Sequence, residues 1–272
     1  MARLSIKNKI EDFIYKNIIR RILFSSRLGR KSSMGYADSG INFDHIYKNT
    51  PSGYIWIGRF VDKILLSLPA AKATRERKDK IVEILRVEVE KNKNRGIRTK
   101  IVDLASGPSR YLVELISEDF HDWTEALCFD IDKRSLAYGK KLSGNKPIIF
   151  KRSNVTKIGN KYKNLSDRIK WKPNCILISG LLEYLDDSAV KKIFNDCFSN
   201  IDNNGLALFV TQKNNPNRKL IEKVGLTKTG KSWTLSYRVP EILAGWMTNA
   251  GYRDIRYTID RWGMYIFLTG RK

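Results

Sequence analysis

Apolar positions recur with two different periods along this chain, and the change comes near residue 95. Upstream the spacing is helical. Ile6, Ile10, Phe13, Ile14, Ile18, Ile22 and Leu23 form one stripe, with Lys7, Lys9, Lys16, Arg20 and Arg27 mostly between them. That pattern predicts a basic amphipathic helix within residues 1–31. Residues 32–54 are rich in Gly, Ser and Asn and predict a loop around a short helical turn at Phe43–Lys48. Tyr54–Pro69 and Arg75–Lys93 predict two more helices, the second with Ile81, Ile84, Leu85 and Val89 on one face.

Downstream, short apolar runs alternate with helical stretches. Strands are expected at Lys100–Leu104, Glu125–Asp130, Pro147–Lys151, Cys175–Ser179 and Leu206–Thr211, with helices starting at Arg110, Lys133 and Asp187. A helix at Pro240–Ala250 and an antiparallel pair, Arg253–Asp260 with Met264–Thr269, close the chain. Alternation with uninterrupted apolar strands argues for an α/β domain built on a doubly wound sheet. The expected division is a helical extension or cap, 1–95, ahead of an α/β domain, 96–272.

Composition removes several classes. With 272 residues, 42% hydrophobic and 11% aromatic, the chain can bury a core, which excludes disorder for most of it. Three cysteines, Cys128, Cys175 and Cys197, make no disulfide framework, and two histidines leave no basis for a metal site. A reducing cytoplasm is the expected setting. No uncharged apolar run reaches the length of a membrane span, and Glu11, Asp12, Lys16, Arg20 and Arg21 break any signal-peptide core.

Charge adds more. Lys and Arg number 51 against 28 Asp and Glu, a net +23, which points to anionic surfaces: phospholipid, nucleic acid or phosphorylated substrates. Residues 1–31 alone carry nine cations and two acids. Their apolar stripe suits, first, packing on the body of the chain and, second, an interfacial helix on anionic lipid at the inner face of the membrane.

Chemistry concentrates after the first strand. In Asp103-Leu104-Ala105-Ser106-Gly107-Pro108-Ser109-Arg110 an acid ends the strand and small residues lead into a helix. Small residues let a ligand approach the backbone, and the acid can hold a polar ligand group. Asp130 closes the second strand 23 residues after Gly107, where an acid meets ribose hydroxyls, with Ile131 beside it. Asn154 and Val155 follow the third strand, where a polar side chain can meet an adenine edge, and Ser179-Gly180 ends the fourth. Each of four adjacent strand ends thus carries a polar group.

This series, from about Lys100 to Gln212, resembles the class I S-adenosylmethionine-dependent methyltransferases. Their acid-x-Gly-x-Gly-x-Gly motif appears as Asp103-x-Ala105-x-Gly107-x-Ser109, with small residues in place of two glycines. The resemblance implies a Rossmann-like seven-stranded sheet with helices on both faces and S-adenosylmethionine as cofactor. It implies cofactor contacts at Asp103, Ala105, Ser106, Gly107, Asp130, Ile131, Asn154, Val155 and Ser179. A second resemblance, to a bacterial methyltransferase subgroup often fused behind an α/β-hydrolase, rests on Ser39-Gly40, Asp44-His45-Ile46-Tyr47, Gly58-Arg59 and Asp62. It continues through Val210-Thr211-Gln212, Asn215-Pro216, Trp233, Arg238 and Asp260-Arg261-Trp262-Gly263.

Neither resemblance identifies the acceptor. His45, Glu183 and Arg238 are the candidates for acceptor or catalytic contact. Asn/Asp-Pro-Pro-Tyr and Pro-Cys runs are absent, so base-amine and cytosine chemistry have no signature here. A small or lipid-like acceptor is the first expectation, and RNA the second; a non-catalytic nucleoside-binding module is a third reading.

Overall fold

The computed structural model describes residues 9–116, 118–155, 172–227 and 229–272. Helix α1 (Arg20–Phe24) continues a π-helical stretch at Ile14–Ile19, and α2 is Arg27–Lys31. Ser26 is extended between them and caps α2, its hydroxyl accepting from Gly29 N–H at 2.9 Å. A second π-helical turn, Ser32–Tyr36, precedes α3 (Gly40–Lys48), which left-handed Asn49 ends. α4 (Ile55–Ser67) and α5 (Pro69–Lys93) follow.

Then come β1 (Thr99–Leu104), α6 (Arg110–Leu115), β2 (Thr124–Asp130), α7 (Lys133–Ser143), β3 (Ile148–Arg152) and β4 (Cys175–Ser179). The last elements are α8 (Asp187–Asn200), β5 (Leu206–Gln212), α9 (Arg218–Val224), α10 (Pro240–Asn249), β6 (Arg253–Ile259) and β7 (Tyr265–Arg271). Sequence chemistry sets several starts. Asp132 and Asp186 cap α7 and α8 by accepting backbone N–H bonds, and Pro240 opens α10.

The chain forms two compact units. The larger, Glu76–Asn214 with Ser236–Lys272, holds a seven-stranded sheet in the order β3-β2-β1-β4-β5-β7-β6. Strands β1 to β5 run parallel, and β7 pairs antiparallel with both β5 and β6. This is the expected α/β sheet. Ile176, Ile178, Phe209, Ile266 and Leu268 pack one face against Val190, Phe194, Leu243 and Met247 of α8 and α10. Parallel order brings the carboxyl ends of β1, β2, β3, β4 and β5 to one edge, where such sheets take their ligands.

The smaller unit is 1–75 with 215–235. Leu23, Val61 and Val224 form its buried centre, joined by Tyr15, Ile19, Leu65 and Leu220. The division therefore differs from the expected 95/96 boundary. Ile81, Leu85 and Val89 of α5 are fully buried, which commits the second part of that helix to the larger unit. Conversely α9, which the sequence pattern did not reveal, contributes Leu220 and Val224 to the N-terminal unit.

The N-terminal stripe needs a second correction. The inward face is Tyr15, Ile19 and Leu23, while Ile10, Phe13, Ile14, Ile18 and Ile22 face out. Residues 32–36 are helical rather than loop, and Ile6 lies outside the described residues.

Candidate cofactor and acceptor site

Three backbone positions after β1 are left-handed: Ala105 (φ +60°), Gly107 (φ +56°) and Ser109 (φ +51°). They are the three positions at which the resembled motif carries glycine. At Ala105 and Ser109 the conformation costs about 1–2 kcal/mol each relative to a right-handed residue. Ser109 offsets part of that cost. Its hydroxyl donates to Asp103 Oδ2 at 2.6 Å, and the Tyr111 hydroxyl donates to the same oxygen at 2.8 Å.

Asp103 is fully buried, and its other oxygen, Oδ1, has no hydrogen-bond partner. Burial pushes its pKa up to about 7, against the two hydroxyl bonds that favour the carboxylate. A buried, unmatched carboxyl oxygen at a strand end suits a cationic or N–H-bearing ligand group.

Asp130 stands at the end of the neighbouring strand. Oδ2 accepts from Gly107 N–H and Oδ1 from Asp132 N–H, each at 2.7 Å. It therefore holds the small-residue turn in shape as well as presenting a carboxylate at the edge. Next to it the Ile131 side chain is 53% exposed, an apolar face at the strand end, and its carbonyl accepts from Arg152 Nε at 3.2 Å. Ser106 closes the turn, its N–H donating to Phe129 O at 3.0 Å. Ser153 N–H donates to Asp130 O, which places half-buried Asn154 after β3, while Val155 is buried in the core. At the end of β4, Ser179 Oγ is buried without a partner.

Beyond Ser179 lies a polar group that the sequence only half disclosed. Gly180 has φ +78°, and a Cβ there would stand 3.0 Å from Arg77 Nη1 and 3.8 Å from Glu183 Oε1. Glu183 is buried, accepting from Thr211 Oγ1 at 3.0 Å and Gln212 Nε2 at 3.4 Å. Burial raises its pKa, and the nearby Arg77 guanidinium opposes the rise. Arg77 is itself buried, with its guanidinium 4.8 Å from the Tyr265 ring centroid. Sequence reasoning missed Arg77, Thr211 and Gln212 as partners of Glu183. The available signal was Arg77's place one turn ahead of Ile81, a cation on the buried stripe of α5.

The other two acceptor candidates have defined partners. Arg238 donates from Nε to Asp187 Oδ1 at 2.8 Å, from Nη1 to Leu182 O at 2.9 Å and from Nη2 to Leu185 O at 2.5 Å. Its guanidinium grips the turn that carries Glu183. His45 lies in the N-terminal unit with its Nε2 2.7 Å from Asp62 Oδ2. Asp62, fully buried, also accepts from Leu28 N–H at 2.8 Å and Ser52 N–H at 2.9 Å.

Comparison with known proteins sets this geometry in context. A family model described as "Putative methyltransferase" matches residues 4–272. A relative, "Uncharacterized protein YnbC" of Escherichia coli (strain K12), is 25% identical over 243 residues, covering 89% of this chain. The match takes up 41% of that relative, so the chain spans about two fifths of its length. Among solved structures, a possible exported protein from Bordetella parapertussis aligns with TM-score 0.71 at 17% identity, over 93% of this chain and 85% of that one. Magnesium protoporphyrin IX methyltransferase from Synechocystis PCC 6803, solved with bound SAH, aligns with TM-score 0.56 at 11% identity, over 85% and 94% of the two chains. At these identities the structural likeness shows the fold.

Proposed function

We propose that this chain, which belongs to the family described as "Putative methyltransferase", binds S-adenosylmethionine along the ends of β1 to β4. It then transfers the methyl group to a small, lipid-like acceptor beside Glu183. The observation that carries the reading is the pair of buried unmatched oxygens, Asp103 Oδ1 and Ser179 Oγ, on the strand ends that flank the left-handed turn. An apolar filler would leave both unsatisfied, at about 1–3 kcal/mol each. A ligand with an amino-acid end satisfies them.

Under this reading each residue has a task. Asp103 receives the ligand's ammonium. Asp130, a carboxylate with about four acceptor sites, adds the ribose hydroxyls to the two N–H groups it already holds. Ile131 covers one face of the adenine, and Asn154 meets its edge. When bound, the cofactor supplies a sulfonium methyl open to in-line displacement. Holding the acceptor in line can contribute up to roughly 7–11 kcal/mol. Glu183 orients the acceptor's nucleophilic atom and takes its proton, while Arg238 keeps the Glu183 turn in place. The net charge of +23 also favours RNA, which is the second reading.

The test uses the purified full chain with methyl-labelled cofactor, offered cellular lipid extract and RNA in parallel. Label should enter the organic-soluble fraction. Glu183→Gln should lower transfer by about a hundredfold, the scale of a lost acid–base group, with cofactor affinity unchanged. Label in RNA alone would overturn the lipid-like acceptor and leave methyl transfer standing.

A further inference from the structure

Helix α4 is apolar on both sides. Val61 and Leu66 are buried and Leu65 packs beside them, yet Trp56 is 75% exposed, Phe60 60% and Ile64 46%, at i, i+4 spacing. A surface helix ordinarily carries polar residues on the face opposite its buried one, and here that face holds an apolar row. The first residue of α4, Ile55, is 70% exposed and left-handed at φ +50°, an outlier for a β-branched side chain. The N-terminal segment of the same unit repeats the arrangement, with Ile10, Phe13, Ile18 and Ile22 about half exposed or more.

The charges around these faces are sorted by sign. The unit has nineteen Lys and Arg against six Asp and Glu. Five of the six acids pair with cations or histidine of the same unit. Glu11 pairs with Lys219 at 2.8 Å, Asp12 with Lys223, Asp44 with Lys48 at 3.4 Å and Glu222 with Arg218 at 2.7 Å. Asp62 is buried on His45. Exposed Arg59 and Lys63 flank the Trp56–Phe60–Ile64 row on α4, and no acid lies on that outer face.

From this we infer that the outer face of α4, together with the outward side of residues 10–22, docks on an anionic lipid surface. Aromatic and aliphatic side chains would enter the acyl–headgroup boundary while Arg59, Lys63 and the N-terminal cations meet the headgroups. The chemistry selects lipid over RNA, since Ile10, Ile18, Ile22 and Ile64 offer bases neither a stacking plane nor a hydrogen bond. The membrane-facing part extends beyond residues 1–31, because α4 carries Trp56, the most exposed aromatic among the described residues. The inference does not depend on methyl transfer, and its test contains no cofactor.

Sedimentation of the full chain with phosphatidylglycerol-containing vesicles, and with phosphatidylcholine vesicles, reads the docking directly. The chain should co-sediment with the anionic vesicles, and raised salt should weaken the binding. A Trp56→Ser, Phe60→Ser double variant should lose about tenfold or more in partitioning. Its unfolding midpoint should stay unchanged, since both side chains are exposed. Equal partitioning of the variant, or equal binding to neutral vesicles, would overturn the inference. So would a lipid-free dimer, seen by analytical ultracentrifugation, that the same double variant abolishes.

Discussion

Asp130→Ala should weaken S-adenosylhomocysteine binding about a hundredfold or more. The carboxylate holds Gly107 N–H and Asp132 N–H, both at 2.7 Å, and so shapes the turn proposed to receive the ligand. Removing it leaves two backbone donors without their charged acceptor and also takes away the partner proposed for the ribose. Hydrogen bonds to charged groups are worth about 1.5–3 kcal/mol each, and about 2.7 kcal/mol already corresponds to a hundredfold change. Asp130→Asn keeps one acceptor oxygen and should fall between wild type and Ala. Calorimetric titration gives both affinities. A change of less than about threefold in the Ala variant would remove Asp130 from the site.

The largest loss of stability should come from Asp62→Ala. Asp62 is fully buried and receives Leu28 N–H, Ser52 N–H and the His45 imidazole. Breaking a buried, fully partnered charge leaves its partners unsatisfied, at about 3–5 kcal/mol. Burial alone would raise its pKa, but the bonds from His45, Ser52 and Leu28 outweigh burial and hold it below 3.8. A depressed folded-state pKa stabilises the fold above about pH 3.8. That contribution is lost as pH falls through the folded value. Urea unfolding of the full chain should show the deficit at neutral pH and a narrowing gap between variant and wild type in acid. Equal stability at neutral pH would mean that the polar centre of the N-terminal unit contributes nothing.

Sequence pattern and structure agree best where one physical signal decides the outcome. Buried parallel strands read as continuous apolar runs, so Cys175–Ser179 and Leu206–Gln212 were legible almost to the residue. The polar carboxyl edge of the sheet was legible for a related reason, because Asp103, Asp130 and Ser179 sit at strand ends that the apolar runs delimit. The N-terminal unit was not. Periodicity finds an apolar stripe but cannot say which side of a helix is covered when both sides are apolar, as at Ile18 and Ile19. His45 on α3 and Asp62 on α4 stand 17 residues apart in sequence, and only the folded chain makes them a hydrogen-bonded pair. Arg77 was hidden because a lone cation in a basic helix reads as solvent-facing.

The central claim is that a nucleoside ligand with an ammonium group lies on Asp103 at the end of β1. Its most direct test is calorimetric titration of the full chain with S-adenosylhomocysteine across pH. Free Asp103 is pushed up to about 7 by burial, and an ammonium placed against it would lower that value. Binding would then release a proton below pH 7. Affinity should rise about tenfold per pH unit up to about pH 7 and level off above it. Affinity that does not change with pH, or an absence of binding throughout the range, would contradict the account.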